Sequence, residues 1–229
     1  MHNFLFGIYP YIALSVLVIG SIARYETDPF TWKTSSSQLL RRKQLILGSV
    51  LFHLGILVIF FGHFVGLMTP IQIFDALGIS HSAKQLLAMG AGGIAGALSL
   101  VGGLLLLHRR LFDSRIRKTS SFADIGILAI IVLQLILGIG TIFVSAQHLD
   151  GHEMTKFMTW TQKIVTFRAG AAKEIADVAL IFKLHMFLGL TIFVLFPFTR
   201  LVHMLSAPIR YVLRPGYQIV RSRRRHPAE

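Results

Sequence analysis

Cysteine is absent from all 229 residues. That excludes disulfide frameworks, zinc held by thiolates, iron–sulfur clusters bound within this chain, and covalently attached c-type haem. Charge is also scarce, at 14% of residues, where an ordinary globular domain carries about 25%. With 54% hydrophobic residues and a mean hydropathy of +0.66, the composition argues against a soluble single domain. Acids are scarcer still, 10 in the whole chain, and the apolar runs hold none except Asp124 and Asp177 at their ends. Transporters usually carry membrane carboxylates and inverted repeats, and this sequence shows neither. No low-complexity linker interrupts the chain.

What is present is apolar sequence in long runs. A hydrocarbon core about 30 Å thick takes roughly 20 apolar residues in a helix. Five runs meet that length, at about 3–23, 44–68, 84–107, 124–144 and 177–204. Every backbone polar group must be satisfied inside the segment when no water is available, so the runs are expected to be helices. The fold class is therefore an all-α integral membrane protein with five transmembrane helices (residues 1–204) and a basic tail (205–229). The first run is expected to be a retained span rather than a signal peptide, because only Met1, His2 and Asn3 precede it and none supplies a basic n-region.

The net charge of +13 could suggest nucleic acid, but its distribution points to topology. Segment 24–43 holds Arg24, Lys33, Arg41, Arg42 and Lys43. Segment 108–123 holds Arg109, Arg110, Arg115, Arg117 and Lys118. The last stretch holds Arg200, Arg210, Arg214, Arg221, Arg223, Arg224 and Arg225. These are 17 of the 23 basic residues, and the alternation of spans puts them on one side. The positive-inside rule makes that side cytoplasmic, with the N-terminus outside and the C-terminus inside. The basic tail then suits anionic lipid or a soluble protein partner better than nucleic acid. The longest extramembrane piece, 145–176, spaces Met154, Phe157, Met158, Thr161, Ile164, Val165 and Phe167 as an amphipathic helix lying on the outer surface.

Six of the ten histidines fall outside the spans or at their edges: His2, His81, His108, His148, His152 and His226. Four lie at membrane depth, where ionisable groups are costly and point to function. They are His53 and His63 in the second span and His185 and His203 in the fifth. A single such histidine is equally well explained by a hydrogen bond to a neighbouring helix. Two on each of two helices match the requirement of two non-covalent haems, each ligated by a pair of neutral imidazoles. Opposite helix directions put His63 at the depth of His185, and His53 at the depth of His203. Each pair would then hold one haem near one face.

The rise per residue tests this pairing. Ten residues separate His53 from His63, about 15 Å, and eighteen separate His185 from His203, about 27 Å on a continuous helix. The mismatch of about 12 Å is to be absorbed by helix tilt and by a kink at Pro197. Eighteen residues are five turns, so a continuous helix would also put His185 and His203 on one face. Gly48, Gly55, Gly62 and Gly66 in the second span, and Gly90, Gly92, Gly93 and Gly96 in the third, allow close approach of either a macrocycle or a neighbouring helix. Arg109, Arg110 and Lys183 are candidates to pair haem propionates, and snorkelling to headgroups explains them nearly as well.

Several words of the sequence have a family look. Phe52-His53-Leu54-Gly55-Ile56-Leu57 and Phe61-Gly62-His63-Phe64 occur in the second span. Phe182-Lys183-Leu184-His185 and Phe196-Pro197-Phe198-Thr199-Arg200-Leu201-Val202-His203 occur in the fifth. With Ile8-Tyr9-Pro10-Tyr11-Ile12, Arg109-Arg110-Leu111-Phe112 and Ser145-Ala146-Gln147-His148, the chain resembles the gamma subunit of respiratory nitrate reductase over almost its full length. The resemblance implies a di-haem cytochrome b in the bacterial inner membrane, with two b-type haems on the four histidines. It implies quinol oxidation near the outer haem, with Lys84 and Gly62 beside the quinol, and electron transfer to the inner haem. It further implies a cytoplasmic iron–sulfur beta subunit and a molybdenum alpha subunit that reduces nitrate. Two alternatives remain at this stage. One is a related di-haem anchor serving a sulfur-compound or disulfide reductase, and the other is a transporter whose histidines relay protons or bind a metal.

Overall fold

The computed structural model describes residues 1–32 and 40–206; Lys33, His226 and the basic residues of the tail beyond 206 lie outside the described residues. Apolar runs bounded by short polar turns give a chain of helices, and no strand occurs among the described residues. Helix α1 (Tyr9–Thr27) follows a π-helical turn (Phe4–Ile8). Then come α2 (Arg42–Met68), α3 (Ile71–Ala76), α4 (His81–Phe112), α5 (Ser114–Lys118) and α6 (Phe122–Ser145). Helices α7 (His152–Val165), α8 (Ala171–Glu174) and α9 (Leu180–Leu195) complete the set. Five segments are long and apolar enough to cross a membrane: Phe4–Thr27, Arg42–Met68, His81–Phe112, Phe122–Ser145 and Leu180–Phe198.

Local sequence sets the helix starts. Ser80 accepts from the Ala83 N–H at the head of α4, and Ser121 and Asp124 form a reciprocal capping box on α6. Asp113 accepts from the N–H groups of Arg115 and Ile116 and opens α5. Gly151 turns the chain into α7 at φ 78°, a left-handed conformation. A Cβ there would lie 2.6 Å from the Cβ of His81, so only glycine fits.

The long helices pack in series: α2 on α4, α4 on α6, α6 on α9, and α9 on α1. The α2–α4 contact is the closest. A Cβ on Gly102 would lie 2.7 Å from the Gly48 carbonyl oxygen and 2.9 Å from the Phe52 Cα. A Cβ on Gly55 would lie 2.9 Å from the Ser99 nitrogen. In lipid, small residues that let backbones touch are the main source of helix association, through dispersion contacts. The glycines therefore divide: Gly48, Gly55, Gly96 and Gly102 pack against helices, whereas Gly62, Gly66, Gly90 and Gly92 face open space.

Two sequence expectations are corrected here. The fifth span is not one helix over 177–204. Its α-helix stops at Leu195, a 3-10 turn runs over Phe196–Phe198, Thr199 is extended, and a second 3-10 segment covers Arg200–Ser206. Pro197 has no N–H to continue the ladder, which ends the helix. Arg24 of α1 donates to the freed carbonyls of Pro197 (2.7 Å) and Thr199 (2.8 Å), and also to Thr31 (2.9 Å). The amphipathic helix in 145–176 exists as α7, but its apolar side is turned onto the bundle. Met158, Trp160, Thr161 and Ile164 are buried, and the Trp160 indole donates to the Phe6 carbonyl at 2.9 Å. Lying across one end of the helices, α7 removes most of that apolar side from solvent and lipid.

Candidate functional site

The two elements that carry the candidate histidines face each other through their side chains. The rings of His63 and His185 have centroids 6.2 Å apart, and those of His53 and His203 are 6.3 Å apart. A metal–imidazole bond of about 2.0–2.1 Å plus a ring radius of about 1.1 Å, taken twice across one metal, gives roughly 6.3 Å. Both pairs therefore stand at the spacing of two imidazoles on opposite sides of one metal ion. The pairing expected from depth is the pairing observed.

The helix break explains how the unequal spacings close. From His185 to Leu195 is ten residues, the same rise of about 15 Å that separates His53 from His63 on α2. The remaining segment turns at Pro197 and the extended Thr199 instead of climbing about two further turns. His203 reaches the level of His53 because the helix ends, and the single face expected of a continuous helix does not exist.

Hydrogen bonds also set which ring nitrogen is available. His53 Nδ1 donates to the Ser49 carbonyl (2.8 Å) and His63 Nδ1 to the Ile59 carbonyl (2.9 Å), each one helical turn back. His203 Nδ1 donates to the Arg200 carbonyl (2.5 Å), three residues back as a 3-10 segment requires. Protonation at Nδ1 leaves the Nε2 lone pair free, the arrangement in which a neutral histidine binds a metal. His185 differs: its Nδ1 is buried without a hydrogen-bond partner. The donor set, the spacing and, in three of the four rings, the tautomer fit two bis-histidine haem irons. Gly138 of α6 adds room on this side, since a Cβ there would lie 2.9 Å from the His185 Cε1.

The other expected residues are placed as follows. Lys84 is buried, 7% exposed, and does not snorkel. Its ammonium donates to the Gly66 carbonyl (2.9 Å), contacts the Met158 sulfur (2.7 Å) and lies 3.9 Å over the Phe74 ring. Gly66 is three residues beyond His63, so this cation is bonded about one helical turn along α2 from that ring. Gly62 has nothing within 4 Å of the position a Cβ would take. Arg109 is 2% exposed and donates to the Leu40 carbonyl at 2.6 Å, and Arg110 donates to Ser120 Oγ at 2.8 Å. Lys183 donates to the Ala176 carbonyl at 2.7 Å. These three cations are engaged with their own chain. Outside the spans, His81 pairs with Asp75 at 3.1 Å and His2 with the Ala172 carbonyl at 2.7 Å.

Sequence inspection missed three residues that the structure brings to the site. Arg24 holds the segment that carries His203. Met158 reaches Lys84 from α7, and Gln134 of α6 lies against His185. A visible signal existed only for Gln134, a lone amide inside an apolar run.

The family model described as the nitrate reductase gamma subunit matches residues 2–223. The chain is 51% identical to the respiratory nitrate reductase 1 gamma chain of Escherichia coli (strain K12), over 97% of this chain and 98% of that one. It is 52% identical to the respiratory nitrate reductase 2 gamma chain of the same strain, over 98% of each. It is 41% identical to the nitrate reductase gamma chain of Bacillus subtilis (strain 168), over 96% of this chain and 97% of that one. The chain belongs to the nitrate reductase gamma subunit family and is a helical membrane subunit of that enzyme.

Proposed function

We propose that this chain is the quinol-oxidising, di-haem cytochrome b subunit of its nitrate reductase. The observation that carries the proposal is the double pairing, two imidazole pairs at 6.2 and 6.3 Å with Nδ1 tied to backbone in three of the four rings. His63 and His185 would hold one b haem through Nε2, and His53 and His203 the other. Bound there, haems would supply one-electron redox chemistry.

The end capped by α7 is the outer face. Arg24, Arg41, Arg42, Lys43, Arg109, Arg110, Arg115, Arg117 and Lys118 gather at the other end, which the positive-inside rule makes cytoplasmic. At the α7 end, lysines are matched by acids: Lys156 with Glu153 and Asp177, and Lys163 with Glu174. The membrane is the bacterial inner membrane. The quinol ring lies beside His63, where Gly62 leaves space and the Lys84 ammonium donates a hydrogen bond to a quinone oxygen. Quinol loses two protons to the outside and two electrons to the chain, becoming quinone. Nitrate takes up two electrons and two protons to give nitrite and water in the molybdenum alpha subunit, supplied through the iron–sulfur beta subunit at the cytoplasmic face. Arg109 and Arg110 stand at that face and would supply cations to pair anionic propionates. The histidine pairs support the redox reading, and family membership supports nitrate as the acceptor.

The test is optical. The purified complex should show reduced b-type absorption and two haems per gamma chain. His63→Ala and His185→Ala should remove one and the same haem, and His53→Ala and His203→Ala the other. Absence of b-type absorption, one haem per chain, or loss of the same haem in all four variants overturns the proposal.

A further inference from the structure

Three of the four membrane histidines hand the Nδ1 proton to a backbone carbonyl of their own element, and His185 does not. Its Nδ1 is buried without a partner. The adjacent side chain, Gln134 of α6, has the complementary deficit, because its Oε1 is also buried without a partner. Its Nε2 donates to the His185 carbonyl at 3.1 Å and lies 3.5 Å from the imidazole Nε2. A buried donor and a buried acceptor left unmade are costly, and native interiors rarely tolerate either. Here they occur on two side chains already in contact.

Small residues have made the space for this contact. Gly138 is one turn after Gln134 on α6, and a Cβ there would lie 2.9 Å from the His185 Cε1; Gly189 is one turn after His185 on α9, and a Cβ there would lie 3.2 Å from the Gln134 Nε2. Any larger residue at either glycine would push the amide and the ring apart. The terminal torsions of glutamine and histidine are broad and soft. Both groups can therefore reorient within this space while the backbones stay in place.

We infer that Gln134 is the positioning residue for His185: its amide oxygen accepts the Nδ1 proton of that imidazole when Nε2 is committed to a metal. The inference rests on the haem reading above. Partners of the second imidazole nitrogen fix the tautomer and ring orientation and raise ligand basicity. A more basic imidazole favours the ferric state and lowers the reduction potential. For His63 and His203 that task falls to a backbone carbonyl, and for His53 to the Ser49 carbonyl with the Ser49 hydroxyl 3.2 Å away. For His185 it falls to a side chain, so the potential of this one haem is adjustable by sequence.

The experiment is a redox titration of the two haems in the purified complex, comparing wild type, Gln134→Leu and Gln134→Glu. Gln134→Leu keeps the bulk and removes the acceptor, so the haem of the His63–His185 pair should shift to higher potential by about a tenfold change in its reduction equilibrium, 59 mV for one electron. Gln134→Glu keeps an acceptor oxygen at the same reach and should hold that potential at or below the wild-type value. The other haem, identified by its survival in His63→Ala, should not move in either variant. Selective loss of the His63–His185 haem in Gln134→Leu, with retention in Gln134→Glu, supports the inference equally. Unchanged potentials in Gln134→Leu, the same response in both variants, or a joint change of both haems overturns it. A wild-type chain without two b haems would overturn the proposed function itself, a result distinguishable from failure of the Gln134 role.

Discussion

Gly102→Ala tests whether the α2–α4 contact sets the position of the histidines. The added methyl would lie 2.9 Å from the Phe52 Cα and 2.7 Å from the Gly48 carbonyl oxygen. The Phe52 backbone nitrogen stands closer still. Carbon atoms in contact stand about 3.5 Å apart, so the two helices must separate by at least about 0.6 Å. All three obstructing atoms are backbone, and none can swing aside as a side chain would. Overpacking of this kind costs about 1–3 kcal/mol. The next residue after Phe52 is His53, so the displacement falls directly on the His53–His203 pair. Metal-ligand distances are held within about 0.2 Å, and a shift three times as large should weaken that ligand first. His63 is about 15 Å further along α2, beyond the obstruction. The expected result is loss or high-spin conversion of the haem held by His53 and His203, seen in the reduced-minus-oxidised spectrum, with the other haem retained. Gly92→Ala on the same helix is the control, because nothing lies within 4 Å of its added methyl. Equal spectra for Gly102→Ala and Gly92→Ala would refute the claim that this contact positions His53.

Three further outcomes follow from the same geometry. Arg24→Met removes three hydrogen bonds to carbonyls near the Pro197 break, each worth about 1.5–3 kcal/mol for a charged donor and less at this half-buried site; haem quantification should show selective loss at the His53–His203 pair, with Arg24→Lys rescuing only in part. Lys84→Met should raise the KM for quinol about tenfold to a hundredfold, the equivalent of one charged hydrogen bond, while both haems remain; steady-state quinol oxidation with unchanged KM would count against it. Asp113 is held below the ordinary carboxylate value of 3.8 by the Ile116 N–H first, then by Arg115 N–H and Arg41. Its contribution to stability is full above about pH 4 and disappears as pH falls through the lowered folded value, so the melting temperatures of wild type and Asp113→Asn should differ at pH 6 and draw together as the pH is lowered below 3.8.

The broad architecture was legible because it depends on run length and charge count. Helices α2, α4 and α6 extend a few residues past the apolar runs, since capping groups such as Ser80 and Ser121 lie outside the hydrophobic pattern. The pairing of histidines was legible from depth alone, because two antiparallel helices order their residues oppositely. The fifth span was not legible to the same degree. Pro197 signals a kink, but that the α-helix would end and that Arg24, 173 residues earlier in the chain, would satisfy the freed carbonyl has no local signature. Nor does the sequence say that the Lys84 ammonium is buried against the Gly66 carbonyl and Met158. Lysines at helix mouths ordinarily snorkel, and only the placement of α7 across the helix ends removes Lys84 from the interface.

The sequence by itself determined a cysteine-free, five-span helical protein with two histidines on each of two spans, because hydropathy, charge asymmetry and residue chemistry are local properties. The tertiary structure decided the ring separations, the premature end of α9, the burial of Lys84 and the contact of Gln134 with His185. Those depend on how closely backbones approach across Gly48, Gly55 and Gly102 and on which side chains satisfy distant carbonyls, and neither is encoded in any single stretch of chain.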